Sequence, residues 1–182
     1  MDFDSLGHHI EITAARQRAY RELDAAKQHR LYALEQEDLL SVVQFTHRKM
    51  ARQGETPVLS EAEAVEALRQ YYALPLLEWP RQQFAISSVV DEYWHWHVLN
   101  TRGWRDFCNR VYGCMMHHVP LDPSSHVDFV RVRALYQETR QLLCEHFGNR
   151  VNERAYPIIK GDGHDVVICS YDYCITEDLF DS

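Results

Sequence analysis

The chain has 182 residues and a net charge of −8. Apolar residues make up 46% of it and charged residues 25%, a composition typical of folded globular proteins that excludes a disordered or low-complexity chain. Because the negative charge repels phosphate groups, we expect no nucleic-acid partner and no anionic membrane surface as a partner. The length is sufficient for one apolar core, so we expect a single domain.

Charge distribution and cysteine content predict where the chain resides. The longest stretch without an acidic or basic residue is 11 residues, from Val111 to Leu121, so the sequence predicts no membrane span and no signal peptide. The 5 cysteines are an odd number, which favours free thiols or metal ligands over a disulfide framework. We therefore expect a cytoplasmic protein in a reducing compartment.

Glycine and proline number only 7 and 6, so the chain has few turn residues and favours long helices. Helical periodicity predicts a mostly α fold with about five helices packed as one bundle-like domain. These helices are expected over residues 5–32, 36–53, 60–75, 88–112 and 125–148. Gly54 should end the second helix, and Ser60 with Glu63 forms a capping-box pattern that opens the third. Pro75 is expected to end that third helix.

The fourth helix is the one that carries the most distinctive residues. It is expected to start at Ser88, with Asp91 as the partner in its cap, and to run without a break to Tyr112. Gly113 then offers a stop. After this helix, Pro120 and the residues that follow it predict a loop.

The last part of the chain has a different pattern. After Pro157 the helical periodicity ends, and the β-branched run at residues 166–169 predicts a short strand. We therefore expect a helical domain at residues 1–160 and a C-terminal tail with a possible strand at residues 161–182.

Histidines cluster in and after the fourth helix. The chain has 11 histidines, and His95, His97, His117 and His118 lie within one short segment. Asp91 and His95 are four residues apart, so their side chains share one edge of the helix and can meet one ion. Because imidazole and carboxylate are common ligands of zinc and of non-haem iron, the sequence predicts a zinc or iron site. Its ligands would be Asp91, His95 and the His117–His118 loop, with His97 as an alternative ligand or a support for the others.

The distance between these groups argues against a shared site on a straight helix. His95 would lie about 25 Å from Tyr112 at a rise of about 1.5 Å per residue. The six residues from Tyr112 to His118 can span at most about 20 Å. A shared site therefore requires the loop to run straight back, or the helix to break near Gly103.

Two functions stay open at this point. A histidine such as His97 on a tryptophan-rich face is more often buried and hydrogen-bonded than metal-bound, and Asp91 is already explained as a cap partner. The alternative to a metal protein is a metal-free helical module that recruits a protein partner through its acidic surface or its tail strand. Whether the chain is an enzyme is equally open. If it is one, we expect metal-activated water or dioxygen chemistry, because the sequence lacks the phosphate-loop, dinucleotide, nucleophile-elbow and HExxH motifs.

The segment 90–120 contains the pattern V-D-E-x-W-H-x-H-x-x-x-T, followed by F-C, G and H-H-x-P. In this respect the chain resembles the glycine-rich-domain-protein-like family of bacteria and plants. The resemblance implies helical similarity from about residue 30 to 150, but no established activity. It assigns these residues to the family's motif: Asp91, Trp94, His95, His97, Thr101, Cys108, His117, His118 and Pro120. The chain departs from the family in lacking a glycine-rich tail and in having Trp96 where a smaller apolar residue is usual.

Overall fold

The computed structural model of the chain describes residues 25–78, 81, 83–120, 126–160 and 167–173. Within these residues the chain forms six helices and three strands, which confirms the predicted mostly α fold. In chain order they are α1 Ala25–Glu35, α2 Leu39–Gln53, α3 Glu61–Leu77, β1 Gln83–Ser87, α4 Ser88–Leu99, α5 Thr101–Val111, β2 Met116–Pro120, α6 His126–Phe147 and β3 Val167–Tyr173. A 3-10 turn, Gly148–Arg150, follows α6. Most of the predicted first helix, residues 5–24, lies outside the described residues.

Local signals in the sequence correctly predicted several helix ends. Gly54 ends α2 in the left-handed conformation, with φ of 80°, and its N–H donates to the last turn of the helix. Ser60 and Glu63 form the predicted capping box at the start of α3. The prediction that Pro75 ends α3 was wrong, because this proline lies inside the last turn of the helix and is buried. A proline in a helix removes one N–H donor and crowds the carbonyl four residues earlier, and burial of the surrounding apolar side chains offsets this cost.

The expected continuous fourth helix is in fact two helices, α4 and α5, joined at Asn100. Asn100 ends α4, and its side-chain oxygen accepts a hydrogen bond of 3.3 Å from the N–H of Gly103 in α5. The start of α4 also differs by one residue from the expected one, since Ser87 is the N-cap and accepts from the N–H of Val90 at 3.2 Å. Asp91 lies in the first turn of α4, four residues after this N-cap.

The three strands form one antiparallel sheet in the order β1-β3-β2. The predicted tail strand is β3, and it lies between the other two. Neither β1 nor β2 was predicted, and His117 and His118 lie in β2 and not in a loop. Each of these strands has five residues, too few for a clear periodic signal, and each depends on pairing with β3 far along the chain.

Aromatic side chains fill the core between α3, α4, α5 and the sheet. The largest fully buried side chains there are Tyr71, Tyr72, Phe84, Tyr93, Trp94, Trp104, Phe107 and Tyr112. Several side chains of this core donate hydrogen bonds to backbone carbonyls. The hydroxyl of Tyr112 donates to the carbonyl of Tyr72 at 2.8 Å, and the indole N–H of Trp104 donates to the carbonyl of Met116 at 3.1 Å. Among the described helices, none has an apolar stretch long enough to cross a bilayer.

Candidate functional site

The structure separates the residues that the sequence grouped as metal ligands. On α4, His95 is exposed, whereas His97 is 6% exposed and faces the core. Asp91, at 9% exposure, is also largely buried. His117 is exposed on β2, and the side chain of His118 lies outside the description. Within the described ranges, no group of three or more histidine, cysteine, aspartate or glutamate side chains has the arrangement needed to hold a metal ion.

His97 is instead held by a hydrogen bond in an aromatic cage. The hydroxyl of Tyr72 lies 2.9 Å from its Nδ1. The rings of Phe107 and Trp104 lie 4.8 Å and 5.1 Å from the imidazole, both edge-on. Burial, and to a smaller degree the positive charge of Arg110, lower the pKa of His97 to about 4. The imidazole is therefore neutral at physiological pH.

The proton of this neutral imidazole can be assigned from its partner. A phenol hydroxyl is a stronger acid than a neutral imidazole N–H, so we assign Tyr72 as the donor and Nδ1 of His97 as the acceptor. The proton of His97 is then on Nε2. His97 makes no hydrogen bond through Nε2 to any residue that the structure describes.

The break at Asn100 explains how this cage forms. His97 lies in the last turn of α4, while Trp104 and Phe107 lie in the first two turns of α5. Because the chain changes direction between the two helices, the indole and phenyl rings of α5 reach the imidazole at the end of α4. On a single straight helix, side chains seven and ten residues apart would lie about 10 and 15 Å apart along the axis.

A pocket of about 330 Å³ lies between α2 and α4, beside His97. We call it the α2–α4 pocket. It is lined by Ser41, Val42, Phe45, Arg48, Trp96, His97 and Asn100. Its volume is at the lower end of the range for small-molecule sites, and its lining of apolar side chains with a few polar groups is typical of them.

The wall of the pocket is aromatic and carries positive charge. Phe45 of α2 and Trp96 of α4 meet edge to face, with ring centroids 5.8 Å apart. The ammonium group of Lys49 lies 5.1 Å from the indole centroid and 5.4 Å from the phenyl centroid, as cation–π contacts. Neither Arg48 nor Lys49 forms an ion pair with any of the described residues. Arg48 and Lys49 thus bring two positive charges to this face, beside the one negative charge of the Asp38 carboxylate that Ser41 contacts.

Sequence reasoning found His97 and Trp96 but not their partners. Phe45 and Arg48 were on a helix with no distinctive motif, and Tyr72 had only the pattern of a core residue. The one available signal was Trp96, because a tryptophan stands there in place of a smaller apolar residue. Its side chain is half-buried, and it forms one side of the pocket.

The described residues form a mostly helical protein with a small sheet and an aromatic pocket beside His97. A family model, UCP032817-like, matches residues 27–128, more than half of the chain, and the chain therefore belongs to the UCP032817-like family. The resemblance to the glycine-rich-domain-protein-like family was wrong, because the matching model covers the same 90–120 segment and belongs to another family. Searches against curated proteins and against solved structures each find no match. The family description names no activity, so the function must be argued from the residues.

Proposed function

We propose that this chain is a helical binding module whose α2–α4 pocket holds a small ligand without the help of a metal ion. The observation that carries the proposal is the position of His97. Its imidazole is 6% exposed, its Nδ1 is fixed by Tyr72, and it lines the pocket with an Nε2 that has no hydrogen-bond partner among the described residues. Because Nε2 is not among the fully buried atoms that lack a partner, it is open to solvent, and a hydrogen-bond acceptor on a ligand in the pocket can take the place of water there.

The apolar part of the pocket supports the same function. Phe45 is a large side chain with 40% of its surface exposed, and it stands against the half-buried Trp96. Aromatic rings left open beside a concave surface are the usual means by which binding sites gain affinity, because they bury much area with little loss of side-chain entropy. The pocket is bounded by two helices that pack against the core, so it exists before a ligand arrives.

The metal hypothesis is a separate proposal with its own test. It rests on Asp91 and His95, which are one helical turn apart on α4 although Asp91 is largely buried and His95 is exposed, and on the histidines of β2. The absence of a three-ligand group within the described residues weighs against it, and His97 is already engaged with Tyr72. Elemental analysis of protein purified without a histidine tag decides it: one equivalent of zinc or iron per chain would support the metal site.

A reducing, cytoplasmic location is part of the proposal. Cys108 and Cys144 are free thiols in the described structure, and burial raises the pKa of Cys108 to about 12, so that it is a core thiol and not a reactive one. The acidic surface supports the expectation that nucleic acid is not the partner.

The pocket can be tested by nuclear magnetic resonance with three probes that share a phenyl ring: 3-phenylpropanoate, 3-phenylpropanamide and 2-phenylethylammonium. Spectra of the ¹⁵N-labelled full chain should show shifts at the indole N–H of Trp96 and at the backbone of Val42 and Phe45 for at least one probe. Val42→Trp should fill the pocket and abolish these shifts. Val130→Trp, at a position on α6 with 53% exposure, is the matched control and should retain them.

The proposed function fails if none of the three probes moves these signals at millimolar concentration. It also fails if the shifts persist in Val42→Trp while that variant keeps the wild-type fold, because binding would then be elsewhere. Melting temperatures of both tryptophan variants show whether the fold is retained.

A further inference from the structure

The polar groups of the α2–α4 pocket that could contact a ligand are hydrogen-bond donors. We propose that the pocket takes an organic anion, a carboxylate carried on an aromatic or similarly bulky apolar body. This inference rests on the proposed function, and it names the chemical class of the ligand.

Three side chains supply the donors. The guanidinium of Arg48 carries a permanent charge and pairs with no acidic group among the described residues. The Nε2–H of His97 likewise has no hydrogen-bond partner among the described residues. Asn100 uses its Oδ1 to cap α5 through the N–H of Gly103, so its Nδ2, which lies beside Gly103 at the edge of the pocket, is its remaining donor.

The acceptors near the pocket are already engaged. The hydroxyl of Ser41, the remaining polar group in the lining, donates to a carboxylate oxygen of Asp38. The other oxygen of Asp38 accepts from the N–H of Ser41 at 3.1 Å, so this carboxylate caps the start of α2. A ligand that offered only donors would find little to bind here, whereas an anion would find three.

The charge around the pocket favours an anion for a second reason. Lys49 stands over the two rings of the wall and adds a second positive charge close to Arg48. The Coulomb attraction between these two cations and an anionic ligand is stronger where apolar walls exclude water. The rings of Phe45 and Trp96 then favour an anion with an apolar body, because a small hydrated ion would leave the surfaces of both rings without a contact.

A carboxylate fits this set better than a phosphate. One guanidinium can grip one carboxylate through two parallel N–H bonds, and the neutral donors of His97 and Asn100 can complete its shell. A phosphate dianion carries more charge and more acceptor oxygens. We therefore commit to the carboxylate and include phenyl phosphate as a separate arm of the test.

The test is isothermal titration of the full chain with 3-phenylpropanoate, with its amide and with phenyl phosphate. The acid should bind at least about tenfold more tightly than the amide, since a charge-assisted pair adds about that much affinity over a neutral one. Arg48→Gln should lower the affinity for the acid to that for the amide. Arg52→Gln, which removes the same charge one turn later on α2 but outside the pocket lining, is the matched control and should change it less than about twofold.

Each other outcome has a definite meaning. If the amide binds as tightly as the acid, or if Arg48→Gln keeps the affinity for the acid, the anion inference is wrong while the binding function stands. If phenyl phosphate binds more tightly than the acid by tenfold, the carboxylate assignment is wrong. If the acid does not bind at millimolar concentration, the anion inference is overturned, and the three-probe spectra decide separately whether the pocket binds anything.

Discussion

Tyr72 and His97 make a buried hydrogen bond of 2.9 Å that joins α3 to α4 at the back of the candidate pocket. The phenol donates and Nδ1 accepts, so the bond fixes both the orientation of the imidazole and the position of its proton. The proposed function depends on this bond because it determines which atom of His97 faces the ligand.

Tyr72→Phe should destabilise the protein by roughly 1–3 kcal/mol, because it leaves the buried Nδ1 of His97 without its partner. Urea unfolding curves measure the loss. Tyr32→Phe removes the same atom from a tyrosine that is 37% exposed, so it should change the free energy of unfolding by less than about 0.5 kcal/mol. Equal effects from the two substitutions would contradict the role given to Tyr72.

His95→Ala and His97→Ala should differ sharply. His97→Ala empties a cage of three aromatic rings, and we expect a loss of roughly 1–3 kcal/mol in unfolding free energy. His95 is exposed, so its replacement should cost less than about 0.5 kcal/mol. Metal content, measured on the same samples, separates the hypotheses: wild-type protein with stoichiometric zinc or iron that is lost in His95→Ala would support the metal site over the pocket.

Gly103 and Asn100 should be energetically coupled. A Cβ at position 103 would lie 2.5 Å from Nδ2 of Asn100, so Gly103→Ala must displace the side chain that joins α4 to α5. In an Asn100→Ala background that clash is gone, and Gly103→Ala should stabilise the helix by up to about 1 kcal/mol. A double-mutant cycle by chemical denaturation measures the difference. If Gly103→Ala has the same effect in both backgrounds, the two side chains do not compete for this space.

Glu35 gives the stability a dependence on pH. Burial raises its pKa from the ordinary 4.5 to about 7, although Arg69, with its Nε 3.9 Å from the carboxylate, opposes the rise. Between these two values the folded protein holds a proton that the unfolded chain has lost, so the free energy of unfolding falls as pH rises through this window.

Glu35→Gln cannot lose that proton and serves as the comparison. The free energy of unfolding of the wild type minus that of Glu35→Gln should decrease from pH 4.5 to pH 7, by at most about 1.4 kcal/mol per pH unit. A difference that is constant or rises over this range would show that the folded carboxyl titrates at an ordinary pKa.

Local signals in the sequence predicted those parts of the fold that depend on neighbouring residues. The capping box of Ser60 and Glu63 and the glycine stop at Gly54 require only side chains within one turn, and both were confirmed. Asn100 was missed for a different reason. Helical residues flank this asparagine on both sides, so a helix interior was the simpler interpretation, although asparagine is a favoured N-cap residue. Its bond to Gly103 and the packing of Trp104 and Phe107 around His97 both favour the break.

The pocket could be predicted only in part, because its two walls lie far apart in the chain. Trp96 and His97 stood out by residue type, but Phe45 and Arg48 lie some 50 residues earlier, and nothing in a local pattern shows which faces of α2 and α4 will meet. The sequence did place His97 on the core face and His95 at the edge of the helix, as the structure has them, but it gave no sign that Tyr72 and the rings of α5 would surround His97. The metal prediction also assumed a loop where His117 and His118 form a strand.

The most direct test of the account is the imidazole ¹⁵N spectrum of His97, recorded with and without 3-phenylpropanoate. The account predicts a neutral ring with its proton on Nε2, and it predicts that the Nε2 signal shifts on addition of the acid while the Nδ1 signal changes little. The same shift should be absent in Val42→Trp. A proton on Nδ1, or an Nε2 signal that the acid leaves unchanged at saturation, would contradict the claim that His97 presents a hydrogen-bond donor to a ligand in this pocket.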